Sequence, residues 1–196
     1  MKLRKRMTMK RTITIAIIAL LLAACGGAKE RAAEKGTGRE ADSMMAAYHY
    51  SDSLYANGRI DTAAFGEFIG RAVAFAEKHP ADTLAPEMLF RAGVGSMILA
   101  KSAGNEVSRG KNAKNALEIF NRFQELYPDL RQARLCYWQR AIVYDDILGD
   151  WRSAESEYRD FITRFPDDSL TPVFQQYLTL LGKSETEIER DLSIPR

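Results

Sequence analysis

The side chains of this 196-residue chain that could do chemistry are two cysteines, two histidines and several acid pairs. A reactive thiol needs a neighbour that lowers its pKa, and a structural or catalytic metal needs three or four ligands. Cys136 lies in a helix-like stretch rich in aromatics and has no second cysteine near it, so it reads as buried packing. His49 and His79 are the only histidines. His79 directly precedes Pro80, as Tyr127 precedes Pro128 and Phe165 precedes Pro166, so it too reads as packing rather than as a metal ligand. The acid pairs Asp145-Asp146 and Asp167-Asp168 sit where helices end in solvent, and nothing places two carboxylates across a cleft. No nucleophile elbow, phosphate-cradling glycine loop or zincin signature is present. The sequence therefore predicts no enzyme, no cofactor and no metal.

Cys25 has a different setting. Residues 1–24 carry six basic side chains and no acid, then an apolar run over 13–24. That run is about half of the ~20 residues a transmembrane helix needs, so a leader is expected instead. Its end, Leu22-Ala23-Ala24-Cys25, resembles the lipobox of bacterial lipoproteins. The resemblance implies diacylation of the Cys25 thiol, cleavage before it, and a mature protein held to the membrane by fatty-acyl chains such as palmitate. Gly26, where an inner-membrane lipoprotein tends to carry aspartate, points to the outer membrane, with the periplasmic face expected over the cell surface. Removing residues 1–24 leaves 172 residues, enough for one domain with a substantial core. It also moves the formal charge from +2 to −4, because all six charges lost are basic. No stretch of the mature chain is basic enough to argue for nucleic acid.

Three segments that could build such a core share one cadence. Phe68, Ala72, Phe75 and His79 precede Pro80; Ala116, Phe120, Phe123 and Tyr127 precede Pro128; Ala154, Tyr158, Phe161 and Phe165 precede Pro166. Steps of three and four place each set on one face of an α-helix, with a phenylalanine five residues before every proline. This is an internal repeat. Residues 25–40, short of large apolar side chains, read as a flexible tether, and 41–196 as the helical domain. Within it, 43–56 is expected as a helix stopped at Asn57-Gly58, and Asp61-Thr62 as the cap of a helix reaching Lys78. Residues 102–112, rich in Gly, Asn, Ser and Lys, are expected as an exposed loop, either a tolerated insertion or a contact loop. Thr171-Pro172 opens a helix closed by Gly182, and Ser184 with Glu187 has capping-box spacing for one more.

The best unit resembles the tetratricopeptide repeat. Trp138, Gly149, Trp151, Ala154, Tyr158 and Pro166 fall on that pattern, while Ala141-Ile142 replaces its Leu-Gly pair and Asp145 stands where a tyrosine is usual, with Tyr144 one place away. The unit before it matches through Leu89, Ala92, Gly93, Ala116, Phe120 and Pro128. The phrases Phe-Gln-Glu-Leu-Tyr-Pro-Asp (123–129) and Phe-Ile-Thr-Arg-Phe-Pro-Asp-Asp-Ser (161–169) are similar to those of BamD/CpoB-type envelope repeat proteins. The resemblance implies an all-α, right-handed solenoid of antiparallel helix pairs, about three repeats plus a C-terminal capping helix. It further implies a protein-protein interaction scaffold in the cell envelope, in a setting such as outer-membrane protein assembly or secretion, with envelope proteins as partners. The partner-binding concave face would carry Phe90, Val94 and Met97 in one repeat and Gln139, Val143 and Asp146 in the next. The alternative kept beside it is a non-enzymatic envelope-structure protein associating with peptidoglycan or glycan.

The tripeptides opening at Asp42, Asp52, Asp61, Asp82 and Asp168 resemble the Asp-Ser/Thr-apolar acceptors of an O-glycosylation system found in some envelope-bearing bacteria. Helix capping wants the same residues and is the preferred reading, except at Asp52-Ser53, inside an expected helix.

Overall fold

The computed structural model describes residues 38–183 and Glu187. The expected leader, Cys25, the tether up to residue 37 and the capping box opening at Ser184 lie outside the described residues. Seven helices follow in order: α1 (Gly38–Ala56), α2 (Thr62–Lys78), α3 (Ala85–Ser102), α4 (Glu106–Leu126), α5 (Arg131–Ile142, continued by a π-helical segment Val143–Leu148), α6 (Trp151–Arg164) and α7 (Thr171–Leu180). Each packs on its neighbours in sequence, giving the pairs α1–α2, α3–α4 and α5–α6 with α7 laid on the last. The described residues thus form the expected all-α solenoid of antiparallel pairs.

The repeat is visible in the backbone. His79, Tyr127 and Phe165 end their helices at φ/ψ of −129/55, −134/53 and −132/59. Each precedes a proline, whose ring disfavours the helical conformation in the residue before it. Each donates its N–H to the phenylalanine carbonyl four residues back, at 2.8, 2.9 and 2.8 Å. The rings repeat as well: Phe75–His79, Phe123–Tyr127 and Phe161–Phe165 lie 5.2, 5.3 and 5.1 Å apart at 52, 58 and 53°. His79 therefore occupies an aromatic slot. It also meets Glu40 of α1 at 2.8 Å, and the Glu40 carboxyl is held below its ordinary range by the hydrogen bond from Lys78 and then by that from His79.

Past each proline the register continues. Ala85, Ala133 and Thr171, five residues on, are buried, and so are Met88, Cys136 and Phe174, eight residues on. Cys136 thus fills the slot of a methionine and a phenylalanine, and burial pushes its thiol pKa up. At the first and last of these turns the Asp82 and Asp168 carboxylates accept the N–H of Leu84 and Leu170 at 2.9 and 3.0 Å. At the middle turn Leu130 stands in that place, this side-chain bond is missing, and α5 begins two residues earlier relative to its proline.

Three boundaries differ from the sequence expectation. Helix α1 begins by Gly38, so the last three residues assigned to the tether are helical. Ala41 and Met44 bury in this part of α1, and Glu40 holds Lys78 and His79 of the second helix's end. Asp42-Ser43 consequently lies inside a helix like Asp52-Ser53; Asp61 is a true helix cap, while Asp82 and Asp168 accept N–H groups within the turns that precede their helices. The expected loop over 102–112 is the third difference. Only 103–105 are non-helical; α4 starts at Glu106, with the Asn105 side chain accepting the Ser108 N–H at 2.8 Å and Arg109 pairing with Glu106 at 2.5 Å. A good cap and a first-turn acid outweigh the loop-like composition. The extra turns of α4 project into solvent, where Val107 is 83 % exposed.

Helix α3 is the centre of the stack, with twelve of its eighteen residues buried, six of them consecutive from Ala92 to Met97. Its glycines admit the neighbours. A Cβ on Gly93 would stand 2.5 Å from the Phe120 ring of α4, and one on Gly95 would touch Phe65 and Ile69 of α2 at 3.4 Å. Gly93→Ala is expected to destabilise by about 1–3 kcal/mol through overpacking, although alanine is the better helix former by ~1 kcal/mol. Gly66→Ala, with nothing within 4 Å of the new Cβ, is expected to stabilise by about 0.5–1 kcal/mol. Urea titration of both variants checks the opposite signs.

Candidate functional site

The wall expected from the repeat resemblance is not an exposed surface. Phe90, Val94, Met97, Gln139 and Val143 are all buried, and of the six residues only Asp146 reaches solvent. In α3 the small residues Gly93 and Gly95 let α4 and α2 pack closely, and only the side carrying Glu87, Arg91 and Ile98 stays partly open. Asp146 pairs with Lys101 at 3.3 Å, joining the ends of α3 and of the π segment at the rim. Gln139 carries a buried Oε1 with no hydrogen-bond partner among the described residues, as does the Tyr127 hydroxyl. The displaced tyrosine noted in the sequence, Tyr144 in place of residue 145, falls in the segment where the helix widens to i→i+5 bonding.

Between the second and third pairs the interior turns ionic. Arg140 of α5 donates from Nε and Nη2 to the two carboxylate oxygens of Glu157 on α6 at 2.8 and 2.7 Å, and from Nη1 to Gln124 Oε1 on α4. Gln124 Nε2 then donates to the Ala133 carbonyl at 2.7 Å. The guanidinium lies 4.9 Å from the centre of the Tyr137 ring. Burial alone would lower the Arg140 pKa, and the Glu157 carboxylate more than reverses it. Both side chains are largely buried, so the pair is a bidentate clasp holding three helices in one register.

Outside this clasp the same helices leave an open groove of about 490 Å³ at the proline-turn edge. Pro128, Tyr137 and Phe165 form its apolar floor, and Asn121, Gln124 and Arg164 rise around it. Tyr137 and Phe165 meet edge-on at 6.0 Å, and Arg134 lies over Phe165 while bonding Asp168 at 2.9 Å. Sequence reasoning did not single out this place, because its lining comes from three elements. The signal was the polarity of Asn121, Gln124 and Arg164 at positions where the preceding repeat is apolar.

Among the described residues no group of three or more His, Cys, Asp or Glu side chains is placed to hold a metal ion, and no helix is long and apolar enough to cross a membrane. Residues 135–168 match the tetratricopeptide repeat family, a span running from α5 through α6 to the turn at Asp168. No curated protein matches the chain.

Proposed function

We propose that the protein is a lipid-anchored scaffold of the bacterial cell envelope, tethered at Cys25 to the outer membrane on its periplasmic face, whose helical stack gathers other envelope proteins. The observation that carries the scaffold part is the tandem of helix pairs whose proline-closed ends share one backbone conformation, one pair of which matches the tetratricopeptide repeat. Such stacks offer extended surfaces to protein partners and are typically not enzymes. The lipobox-like Leu22-Ala23-Ala24-Cys25 supports the anchor, and the phrases at 123–129 and 161–169 support an envelope setting such as outer-membrane protein assembly or secretion.

Crosslinking in cells followed by purification of the full chain is expected to recover defined envelope proteins in fixed proportion. Sedimentation with purified cell-wall sacculi, and no protein partner, would instead favour the wall-associated alternative. Intact mass of the purified protein is expected to show a chain beginning at an acylated Cys25; an unmodified Cys25 would remove the anchor from the proposal and leave the stack.

A further inference from the structure

We propose that the groove between α4, α5 and α6 binds an extended acidic segment of a partner protein, the acid lying beside an aromatic or large aliphatic side chain. The proposal rests on the scaffold reading and names the place and the chemistry of one partner.

The argument starts from a comparison inside the molecule. The junction of the first and second pairs has the same register, counted from Pro80 instead of Pro128 and from Pro128 instead of Pro166, and there Asn121, Gln124 and Arg164 correspond to Val73, Ala76 and Leu126. At that earlier junction Ala76 and Leu89 are fully buried and Tyr127 nearly so. Their counterparts Tyr137 and Phe165 remain partly open to solvent. Repeat geometry alone therefore closes this position; the polar residues of the later junction keep it open.

The groups around the floor differ in what they have left to offer. Gln124 is spent on Arg140 and the Ala133 carbonyl. Glu125, on the groove's margin, is paired with Arg122 at 3.0 Å. The side chains of Asn121 and Arg164 form no hydrogen bond or ion pair with any described residue. The unmatched charge at the groove is thus the Arg164 guanidinium, which selects a carboxylate and can hold it with two parallel bonds. Asn121 offers both an amide donor and a carbonyl acceptor, the complement of a peptide backbone. The Tyr137–Phe165 floor and the Pro128 ring take an apolar side chain next to the acid, and a groove of this size fits the range of about 300–1,000 Å³ in which small ligands and short peptide stretches are held.

The test is selection of a random library of short displayed peptides on the immobilised full chain. Enriched peptides are expected to set Asp or Glu within two positions of Phe, Tyr, Trp or Leu. Arg164→Glu should weaken the selected peptides by more than about tenfold, which is ~1.4 kcal/mol, and Asn121→Ala by less, both variants keeping wild-type helicity by circular dichroism. Arg152→Glu, at the opposite end of α6, should leave binding unchanged. Enrichment of peptides without an acid, no enrichment, or undiminished binding by Arg164→Glu overturns the proposal. Any of those results together with partners recovered from cells removes the groove and keeps the scaffold; selected peptides with no cellular partner do the reverse.

Discussion

Glu157→Ala is expected to lower the free energy of unfolding by about 3–5 kcal/mol, because it leaves the Arg140 guanidinium buried without its counter-charge. Denaturant titration read by circular dichroism measures it. The size of the loss is mostly the cost of the stranded cation rather than the worth of the pair. A double variant, Arg140→Met with Glu157→Leu, accordingly recovers most of the loss, short of the orphaned Gln124 oxygen, which then needs water. If the single variant loses less than about 1 kcal/mol, the guanidinium has found solvent and the clasp is looser than its 2.7 and 2.8 Å bonds imply.

Phe161→Ala ranks beside it, at about 3–5 kcal/mol. The ring is fully buried, 4.2 Å from Phe174, 5.1 Å from Phe165 and 6.0 Å from Tyr137, so one truncation opens a cavity shared by α5, α6 and α7. The loss should fall unevenly. The amides of α7, whose hold on the stack runs through Phe174 and Tyr177, are expected to exchange with solvent faster, while those of α2 and α3 change little; equal acceleration throughout would show that the last pair is not a separate layer.

Much of this architecture was legible because short-range rules fixed it. The phenylalanine-proline spacing named three helix ends, and all three share one cap conformation. Asp61 was readable as a cap because a carboxylate two or three residues ahead of free N–H groups has few other uses, and it does accept from Ala63 and Ala64 at 3.0 Å. Helix α4 was misread for the converse reason. Gly104, Asn105, Ser108 and Gly110 are loop-like one at a time, but Asn105 as a cap and Ala113 and Ala116 as buried anchors commit the whole stretch to a helix. The first copy also carries its large and small residues in reverse order, Phe68 and Ala72 where the second and third have Ala116 with Phe120 and Ala154 with Tyr158.

The exposed wall failed as an expectation for a longer-range reason. Whether Val94 or Met97 meets solvent depends on how closely neighbouring helices approach, and that is decided by Gly93, Gly95 and the rings they admit. Periodicity reports this poorly, since a helix buried around most of its circumference loses much of the contrast between faces that periodicity measures. The groove at Tyr137 was invisible for a related reason. Its members are ordinary surface residues in each helix alone, and become a site only where three helices bring them together.

The deep burial of α3 also bears on how the molecule comes apart. An ideal solenoid unzips from either end, one unit at a time, because every unit touches only the next. Here the middle helix carries more buried residues than any other described helix, so unravelling that starts at either terminus is expected to slow when it reaches α3, with α2 through α4 the last part to open. The array is then expected to come apart less like a string of beads than like a cord fraying towards a tight middle.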